Sequence, residues 1–411
     1  MKQGWIKKAV LGRLSRVTQG ELTILEGAEK HVFGRATEAF PVKAVITVHD
    51  PRFYAMTAFG GSIGSGEAYM SGYWATDDLT AVVRIFVRNR AALEGMEKGL
   101  AYLTAPLQKL YHLIRDNTKE GSRKNISAHY DLGNDFYRLF LDPTMMYSCA
   151  VFPEENSTLE EASIEKLERI CKKLELNPSD HLVEIGTGWG GLAIHAAKNY
   201  GCRVTTTTIS KQQHDYARER IRREGLENKI TLLFEDYRDL KGQFDKLVSV
   251  EMIEAVGHRH YDTYFGTCSR LLKPEGAMLL QAIVIADQYY ENAKRNVDFI
   301  QRYIFPGSCI PSIGAISQAI TRATDMRLFH LEDITPHYAT TLRLWRERFF
   351  ANIDKVRALG YPESFIRMWE FYLCYCEGGF LERVIGDVHM IFTKPLSRKK
   401  PILPALELSG A

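Results

Sequence analysis

A glycine-rich turn is the strongest chemical feature of this sequence. It runs from Glu184 to Gly191 (EIGTGWGG) and follows a short apolar segment, His181–Ile185, that predicts a buried strand. Glycines let the backbone pass close to a ligand and begin the next helix tightly. The turn therefore predicts a ligand site at the end of this strand.

Two classes of nucleotide-containing ligand use such a turn, and the next strand separates them. Gly186, Gly188 and Gly191 satisfy the G-x-G-x-x-G pattern of dinucleotide enzymes. Those enzymes also need an acidic residue at the end of the second strand, where it binds the ribose hydroxyls. Here the second strand ends at 205–210 (TTTTIS) without an acid. The pattern argues against a nicotinamide oxidoreductase.

S-adenosylmethionine is the alternative ligand, because it has no pyrophosphate and needs no strong anion site. Asp236 and Tyr237, after the third predicted strand, offer an acceptor and an aromatic face for its nucleoside. Thr208, Ser210 and Gln213 offer polar groups for the methionine or ribose end. These residues can equally cap helix N-termini, and for Ser210 alone both interpretations stay open.

Alternating strands and helices are predicted to position the turn. The strands are His181–Ile185, Arg203–Ile209, Lys229–Phe234, Phe244–Val250 and Ala277–Ile285, and helices end at Tyr200 and span Lys211–Glu224. This order indicates a mainly parallel sheet with helices on both faces, which binds ligands at the carboxyl ends of its strands. Nearer the N-terminus we expect a strand at Lys43–His49, a glycine-rich turn at Gly60–Glu67 and a helical pattern over 79–114.

Composition sets the class of protein. With 411 residues, 45% of them hydrophobic and 25% charged, the chain is a globular protein of two or three domains. A net charge of +3 gives no general attraction to nucleic acid. The seven cysteines form neither a disulfide framework nor a paired zinc motif, so a reducing cytoplasm is expected. No apolar segment reaches the roughly 20 residues of a spanning helix, and basic residues exclude a signal peptide at the N-terminus.

The first 20 residues are basic and amphipathic. Ile6, Val10, Leu14 and Val17 recur at helical spacing, with Trp5 beside them and no acid in the segment. Such a helix can lie in a membrane interface or can simply pack on its own domain, and both interpretations remain open.

A series of long motifs carries a family resemblance. They are His129–Tyr137, Leu141–Ala150, Val183–Gly191, Asp236–Leu240, Ser249–Gly257, Tyr303–Gly307 and Trp345–Phe349, with Gly64–Tyr69 in the first part of the chain. Spread over about 129–395, this set resembles the cyclopropane-fatty-acyl-phospholipid synthases and their mycolic-acid relatives.

The resemblance implies an α/β fold, the class I methyltransferase type, with a Rossmann-like, mainly parallel seven-stranded sheet and a smaller N-terminal α+β domain. It implies a lipid- or membrane-docking domain at 1–116, a catalytic domain at 129–398 and a tail at 399–411. The linker at 117–128 is predicted from the residues themselves, because Asn117–Asn125 (NTKEGSRKN) is polar and charged. The activity implied is transfer of the methyl group of S-adenosylmethionine to a cis double bond in a phospholipid acyl chain. Deprotonation then closes a cyclopropane ring.

The resemblance also assigns site residues. Those for the methyl donor are Tyr147, Ser148, Glu184, Gly186, Gly188, Trp189, Gly190, Thr208, Ser210, Gln213, Asp236 and Tyr237. Those for catalysis and for a bound bicarbonate are Cys149, Glu254, Gln281, the backbone at Ile283, Tyr338 and Cys376. Physical reasoning agrees in part, because an alkene attacking a sulfonium needs a dry site and a nearby base rather than a protein nucleophile. Glu254 can be that base itself or can orient bicarbonate, whereas Cys376 has no task in this mechanism.

Two departures from the family pattern leave the product open. Gln281 and Ala255 stand where some members carry histidine. Gln can donate a hydrogen bond but cannot become a cation. A methylene- or methyl-branched chain is the alternative product, and a non-catalytic lipid-binding module is the alternative from another class. The resemblance further implies a homodimer and a cytoplasmic enzyme bound peripherally to the inner face of the membrane.

Overall fold

The computed structural model describes residues 2–93, 117, 121 and 132–403. The helices are α1 (Lys2–Leu14), α2 (Arg52–Met70), α3 (Leu79–Arg88), α4 (Arg90–Leu93), α5 (Asn134–Arg138), α6 (Leu159–Leu174), α7 (Gly191–Asn199), α8 (Lys211–Arg223), α9 (Tyr261–Leu271), α10 (Asp287–Ala293), α11 (Phe299–Tyr303), α12 (Ile313–Ala323), α13 (Thr335–Ala351), α14 (Ile353–Ala358) and α15 (Glu363–Leu381). The strands are β1 (Gly20–Glu26), β2 (Glu29–Arg35), β3 (Lys43–Val48), β4 (Trp74–Thr76), β5 (His181–Ile185), β6 (Arg203–Thr207), β7 (Ile230–Leu233), β8 (Phe244–Val250), β9 (Leu272–Ile285), β10 (Arg327–Asp333) and β11 (Ile385–Thr393).

Internal packing divides the chain into two compact units. The first comprises Met1–Leu141, Gln288–Cys309 and Thr335–Gly386, and the second comprises Asp142–Asp287, Ile310–Ile334 and Asp387–Ala411. This division differs from the linear domain boundaries predicted from the sequence, because two later segments belong to the N-terminal unit. The linker predicted at 117–128 lies outside the described residues apart from 117 and 121, and so do His129 and the end of the tail.

The first unit is built on a four-stranded sheet in the order β2-β1-β3-β4. β1 pairs in parallel with β3, whereas the β1–β2 and β3–β4 pairs are antiparallel. Along β3 every second side chain is buried, as expected of a strand with one face on a core. Helix α15 packs against α2 and α3, and Tyr69 on α2 donates a hydrogen bond to Glu370 on α15 at 2.7 Å.

The predicted turn at Gly60–Glu67 is wrong, because this segment lies inside α2. The helix is interrupted only at Gly61, which has φ 53°. A Cβ at Gly64 would clash with the carbonyl oxygen of Met56, and one at Gly66 would clash with the Phe299 ring. These two glycines therefore serve close packing rather than a change of chain direction.

The second unit is built on a seven-stranded sheet in the order β10-β11-β9-β8-β5-β6-β7. The pairs from β9 through β7 are parallel, and β10 runs antiparallel to β11. This is the predicted class I methyltransferase fold. The five strands predicted from 181 to 285 are present, but β9 begins at Leu272 and not at the predicted Ala277, whereas β10 and β11 were not predicted.

Candidate active site

The glycine-rich turn follows β5 and leads into α7. The turn contains three glycines with positive φ, namely 101° at Gly186, 53° at Gly188 and 86° at Gly190. Residues that carry a Cβ rarely adopt this backbone conformation. The N–H groups of Gly186 and Thr187 both donate to the Thr207 carbonyl at the end of β6, at 3.1 and 3.0 Å. The backbone of the turn is therefore fixed at the carboxyl end of the sheet, where ligands bind in this fold.

A loop without regular secondary structure, 142–150, lies against this turn. A Cβ at Gly191 would stand 2.8 Å from the sulfur of Met146 and 3.0 Å from the Thr144 carbonyl oxygen. Asp142 holds the start of the loop by accepting bonds from the Thr144 N–H and the Ser163 hydroxyl, at 2.8 and 3.1 Å. This loop carries three predicted site residues, Tyr147, Ser148 and Cys149.

Buried polar groups hold Ser148 and Cys149 in place. The ammonium of Lys166, which is fully buried on α6, donates to Ser148 Oγ at 2.7 Å. The Cys149 N–H donates to Glu251 Oε1 at 2.8 Å, and its thiol contacts the Ala150 carbonyl at 3.1 Å. Burial, and next the Asp387 and Glu251 carboxyls, raise the pKa of the Cys149 thiol. Cys149 is therefore a thiol and not a thiolate nucleophile.

The polar residues at the start of α8 bond to one another. Thr208 Oγ1 donates to Gln213 Oε1 at 2.9 Å, and Ser210 Oγ accepts from the Gln213 N–H at 3.4 Å as the N-cap of the helix. Ser210 is therefore the N-cap of α8. All three side chains are buried, and their contact with a methyl donor stays a prediction.

Asp236 and Tyr237 follow β7, as predicted. The Asp236 carboxylate is engaged by Arg238, whose Nε and Nη2 donate to its two oxygens at 2.7 Å each. The Tyr237 ring meets Tyr264 edge to face, with ring centroids 5.5 Å apart. Asp236 therefore already has a partner, which the sequence pattern did not indicate.

Glu184 lies on β5 beneath the turn. Thr206 donates to its Oε2 at 2.5 Å, and the hydroxyls of Thr206 and Thr187 are 2.7 Å apart. Burial raises the pKa of Glu184 to about 8. The side chain is thus linked to the turn through two threonines.

The unmodified chain is expected to lose stability as the pH rises from about 5 to 8, and the Glu184→Gln variant is expected to lose less. The folded chain keeps a proton on Glu184 that the unfolded chain releases near its ordinary pKa of 4.5, so the free energy of unfolding falls with rising pH. Gln cannot ionise and removes this contribution. Urea unfolding across this pH range measures the slope, and Glu160→Gln, at an exposed position of α6, is the matched control. An unchanged slope in the Glu184 variant would contradict the expectation.

Glu254 lies in a 3-10 turn, Ile253–Ala255, just after β8. Its Oε1 accepts the Ile283 N–H at 2.6 Å, so the structure brings these two predicted residues together. Its Oε2 is buried and has no hydrogen-bond partner among the described residues. Burial, and next the neighbouring Glu251 charge, raise the pKa of Glu254 to about 8. The preceding Met252 side chain would contact a Cβ at Gly186 at 3.3 Å, so this segment adjoins the glycine turn.

Gln281, fully buried on β9, joins two carboxyl groups that sequence reasoning missed. Its Nε2 donates to Glu251 Oε1 at 2.8 Å and to Asp387 Oδ2 at 3.0 Å. The two carboxyls share one amide donor and repel each other when both are charged, which favours a proton on one of them. Burial and the Glu251 charge raise the pKa of Asp387 well above its usual range.

His389 and Lys173 fix the orientation of the Gln281 amide. Lys173 Nζ lies 2.8 Å from His389 Nδ1, and His389 Nε2 lies 3.1 Å from Gln281 Oε1. Because the ammonium can only donate, Nδ1 accepts and Nε2 carries the proton that bonds Gln281. Glu332 accepts from Lys173 at the outer end of this chain of hydrogen bonds.

Tyr338 and Cys376 belong to the first unit. Tyr338, on α13, stacks on Phe380 with ring centroids 4.2 Å apart. Cys376 lies on α15, and burial raises the pKa of its thiol. The roles that the resemblance assigns to these two residues stay predictions.

The part of the chain that the structure describes contains neither a metal-binding cluster nor a membrane-spanning helix. Among residues 2–93, 117, 121 and 132–403, His, Cys, Asp and Glu side chains form no group arranged to hold a metal ion. In the same part of the chain, no helix has the length and apolar character needed to cross a membrane.

Comparison with known proteins identifies the family. Residues 117–391 match the model of the mycolic acid cyclopropane synthetase family. The cyclopropane-fatty-acyl-phospholipid synthase of Escherichia coli (strain K12) is 40% identical over 354 residues, covering 85% of this chain and 88% of that protein. The tuberculostearic acid methyltransferase UfaA1 of Mycobacterium tuberculosis is 38% identical over 327 residues, covering 78% of this chain and 76% of that protein.

A solved structure agrees with these relatives. Mycolic acid cyclopropane synthase CmaA1, complexed with SAH and CTAB, is 31% identical and superposes with a TM-score of 0.62, covering 66% of this chain and 98% of that one. The donor product SAH in that relative and the glycine turn described above support S-adenosylmethionine as the cofactor. The chain therefore belongs to the mycolic acid cyclopropane synthetase family and is an S-adenosylmethionine-dependent methyltransferase.

Proposed function

We propose that this chain is a cyclopropane synthase acting on a cis double bond in the acyl chain of a phospholipid. The observation that carries the proposal is Glu254, a buried carboxyl with one oxygen bonded by the Ile283 N–H and the other without a partner in the described chain. It adjoins the glycine turn, where the methyl donor is expected. A general base in this place can take a proton from a newly added methyl group.

The turn fits the methyl donor. Apart from Gly188 and its two chain neighbours, no heavy atom of the described chain lies within 4 Å of the position that a Cβ at Gly188 would occupy, which leaves open space beside the backbone. When bound, S-adenosylmethionine supplies an electrophilic methyl group that the π electrons of an alkene can take while the sulfonium leaves as a thioether. Glu254 then accepts one proton of that methyl group, and the released C–H electron pair closes the ring onto the cationic carbon.

Three donors of the second unit that could hold the bicarbonate implied by the resemblance are already bonded to side-chain carboxyls. The Cys149 N–H donates to Glu251, and the Ile283 N–H donates to Glu254. The Gln281 amide donates to Glu251 and Asp387. Because side-chain carboxyls occupy these donors, we assign the proton step to a protein carboxyl. Removal of bicarbonate from the buffer by degassing is expected to leave turnover unchanged, and loss of activity restored by added bicarbonate would contradict this.

Lipid analysis tests the proposed reaction. Unsaturated phospholipids incubated with the purified chain and S-adenosylmethionine are expected to gain the mass of one methylene group. Proton NMR of the isolated acyl chain is expected to show cyclopropane signals in place of vinylic ones. The matched control is the Glu254→Gln variant, and an unchanged lipid mass with the unmodified chain would contradict the proposal.

A branched product is the second candidate, and the tuberculostearic acid methyltransferase among the relatives favours it. If a proton leaves from a chain carbon instead of the added methyl, a methyl-branched alkene results. With S-adenosylmethionine deuterated on its methyl, that product keeps three deuterons and a ring keeps two. A methylene branch also keeps two deuterons, and its vinylidene NMR signals distinguish it from the ring.

Peripheral membrane binding is part of the proposal. Helix α1 buries Val10 and Leu14 against its own unit, as the packing interpretation requires, but Trp5 on the same helix is 70% exposed. Lys8 and Arg16 are exposed nearby in sequence, and an aromatic ring beside cations suits an anionic lipid interface. The site of action would then be the cytoplasmic face of the membrane. The homodimer implied by the resemblance belongs to the same proposal, and analytical ultracentrifugation measures it.

Changing Trp5 to Ala is expected to weaken binding to anionic vesicles. The indole is the exposed apolar group of α1, so its loss removes contact area without disturbing the buried Val10 and Leu14. Sedimentation with phosphatidylglycerol vesicles measures the bound fraction, with phosphatidylcholine vesicles as the uncharged comparison. Val32→Ala, at an exposed apolar position on β2, is the control variant. Equal binding by the Trp5 variant and the unmodified chain would contradict a docking role for α1.

A further inference from the structure

Arg220 occupies an unusual position on α8. Its Nη1 donates to two backbone carbonyls, that of Thr144 at 2.9 Å and that of Trp189 at 3.1 Å. Thr144 belongs to the 142–150 loop, and Trp189 belongs to the glycine turn. One guanidinium therefore links two segments that are 45 residues apart in the sequence (189 − 144).

The charge of Arg220 is not used in an ion pair within the described chain. Neighbouring arginines on α8 behave differently, since Arg222 and Arg223 pair with Glu219 and Arg218 pairs with Asp215. Hydrogen bonds from a cation to carbonyls are stronger than bonds between neutral groups. Burial also lowers the pKa of Arg220, which is consistent with a guanidinium taken out of water to reach these carbonyls.

The surrounding contacts make the link rigid. A Cβ at Gly190 would stand 3.3 Å from the Ala217 Cβ, so α8 packs directly against the turn. The Thr144 N–H donates to the Asp142 carboxylate, so both backbone polar groups of Thr144 are held, the N–H by Asp142 and the carbonyl by Arg220. Gln213, Ala217 and Arg220 follow at intervals of four and three residues and therefore share one face of α8.

We propose that Arg220 is a positioning residue of the methyl-donor site, which sets the spacing between the glycine turn and the loop that carries Tyr147 and Ser148. The inference rests on the proposed function only in placing the donor between these segments. Without the guanidinium, the loop and the turn keep their van der Waals contact at Gly191 but lose the bonds that fix their separation. The donor must then order both segments when it binds, which lowers its affinity.

Donor affinity and local backbone protection test the inference. Arg220→Met is expected to raise the dissociation constant for SAH, measured by calorimetry, by about 10- to 100-fold. Arg220→Lys keeps the charge but not the forked geometry, so an intermediate increase is expected. In the ligand-free chain, amide hydrogen exchange is expected to speed up in peptides covering 142–149 and 186–191 and to stay unchanged over β1–β3. The turnover of both Arg220 variants at saturating S-adenosylmethionine is expected to stay close to that of the unmodified chain.

Arg222→Met is the matched control, because this arginine lies on the same helix and pairs only at the surface. It is expected to bind SAH like the unmodified chain. The inference is overturned if both folded variants, Arg220→Lys and Arg220→Met, bind SAH with dissociation constants within twofold of the unmodified value. If Arg220→Met does not fold, the dissociation constant of Arg220→Lys alone decides. Faster exchange throughout the second unit would also overturn it, since that indicates general destabilisation. Failure of the unmodified chain to bind SAH would instead refute the donor site itself, and the inference with it.

Discussion

Replacing Glu254 by Gln is expected to lower turnover by about 10²- to 10⁴-fold, the range typical of a lost general base. Gln has nearly the same volume and keeps an oxygen that can accept the Ile283 N–H, so the local structure is preserved. An amide cannot take up a proton, however, and the cation formed by methyl transfer would persist. Initial rates with unsaturated phospholipid vesicles measure turnover, and calorimetry with SAH is expected to show unchanged donor binding.

Glu275→Gln is the matched control for this variant. Glu275 lies on the exposed part of β9, so its replacement is expected to leave the rate unchanged. Retention of more than a tenth of the activity by Glu254→Gln would mean that another group removes the proton. Loss of SAH binding in the same variant would mean that Glu254 serves the donor instead.

The pH dependence of the unmodified chain follows from the same carboxyl. Because burial and the Glu251 charge raise the pKa of Glu254 to about 8, the residue is protonated at lower pH and cannot act as a base. Turnover is therefore expected to rise with pH, to reach half of its maximum near pH 8 and to level off towards about pH 9. Rates at saturating donor and lipid between about pH 6 and 9 measure the profile. A rate independent of pH over this range would contradict the assignment.

The second large effect concerns Gln281, whose replacement by Leu is expected to lower the free energy of unfolding by about 3–6 kcal/mol. Leu fills a similar volume but offers no hydrogen bonds. Four groups then lose a partner, namely the half-buried Glu251 Oε1 and the buried Asp387 Oδ2, His389 Nε2 and, more weakly, the Cys149 carbonyl. Urea unfolding followed by circular dichroism measures the loss.

The size of this loss is expected to depend on pH. At about pH 5 the carboxyls can take up protons and satisfy each other, so the variant is expected to be less impaired there than at pH 8. Gln318→Leu, on the exposed side of α12, is the control and is expected to change stability by less than about 0.5 kcal/mol. A difference below about 1 kcal/mol for Gln281→Leu at pH 8 would show that the hydrogen-bond network contributes little.

The central part of the fold could be predicted from the sequence because its signals are local. The strands from β5 to β8 are short segments bounded by polar turns, and β9 ends in an apolar run. The glycines at 186, 188 and 190 mark the turn after β5 directly. Glu254 could be singled out because it follows the carboxyl end of a strand, where this fold binds its ligands. The same reasoning failed at Gly64 and Gly66, whose close neighbours are only visible in three dimensions.

The hydrogen-bond network around Gln281 could not be predicted in this way. Asp387 is 106 residues and His389 is 108 residues from Gln281, and nothing in their immediate sequence reveals the pairing. Both lie on β11, whose polar residues interrupt the apolar pattern and hide the strand. Lys166 was missed for a related reason, since a lysine on an amphipathic helix normally lies in water. Glu251 stood within a recognised motif, and its place directly after β8 was the one local signal available.

The order of strands in the second unit has a consequence for how the protein is made. Of the strands in the described residues, β11 is the last to leave the ribosome, yet it lies between β9 and β10. Until residues 385–393 emerge, the largely buried 14-residue strand β9 has no neighbour on one side and offers unpaired backbone groups to other chains. A nascent chain halted before this point is therefore expected to aggregate, and co-translational chaperones are expected to protect it during that interval.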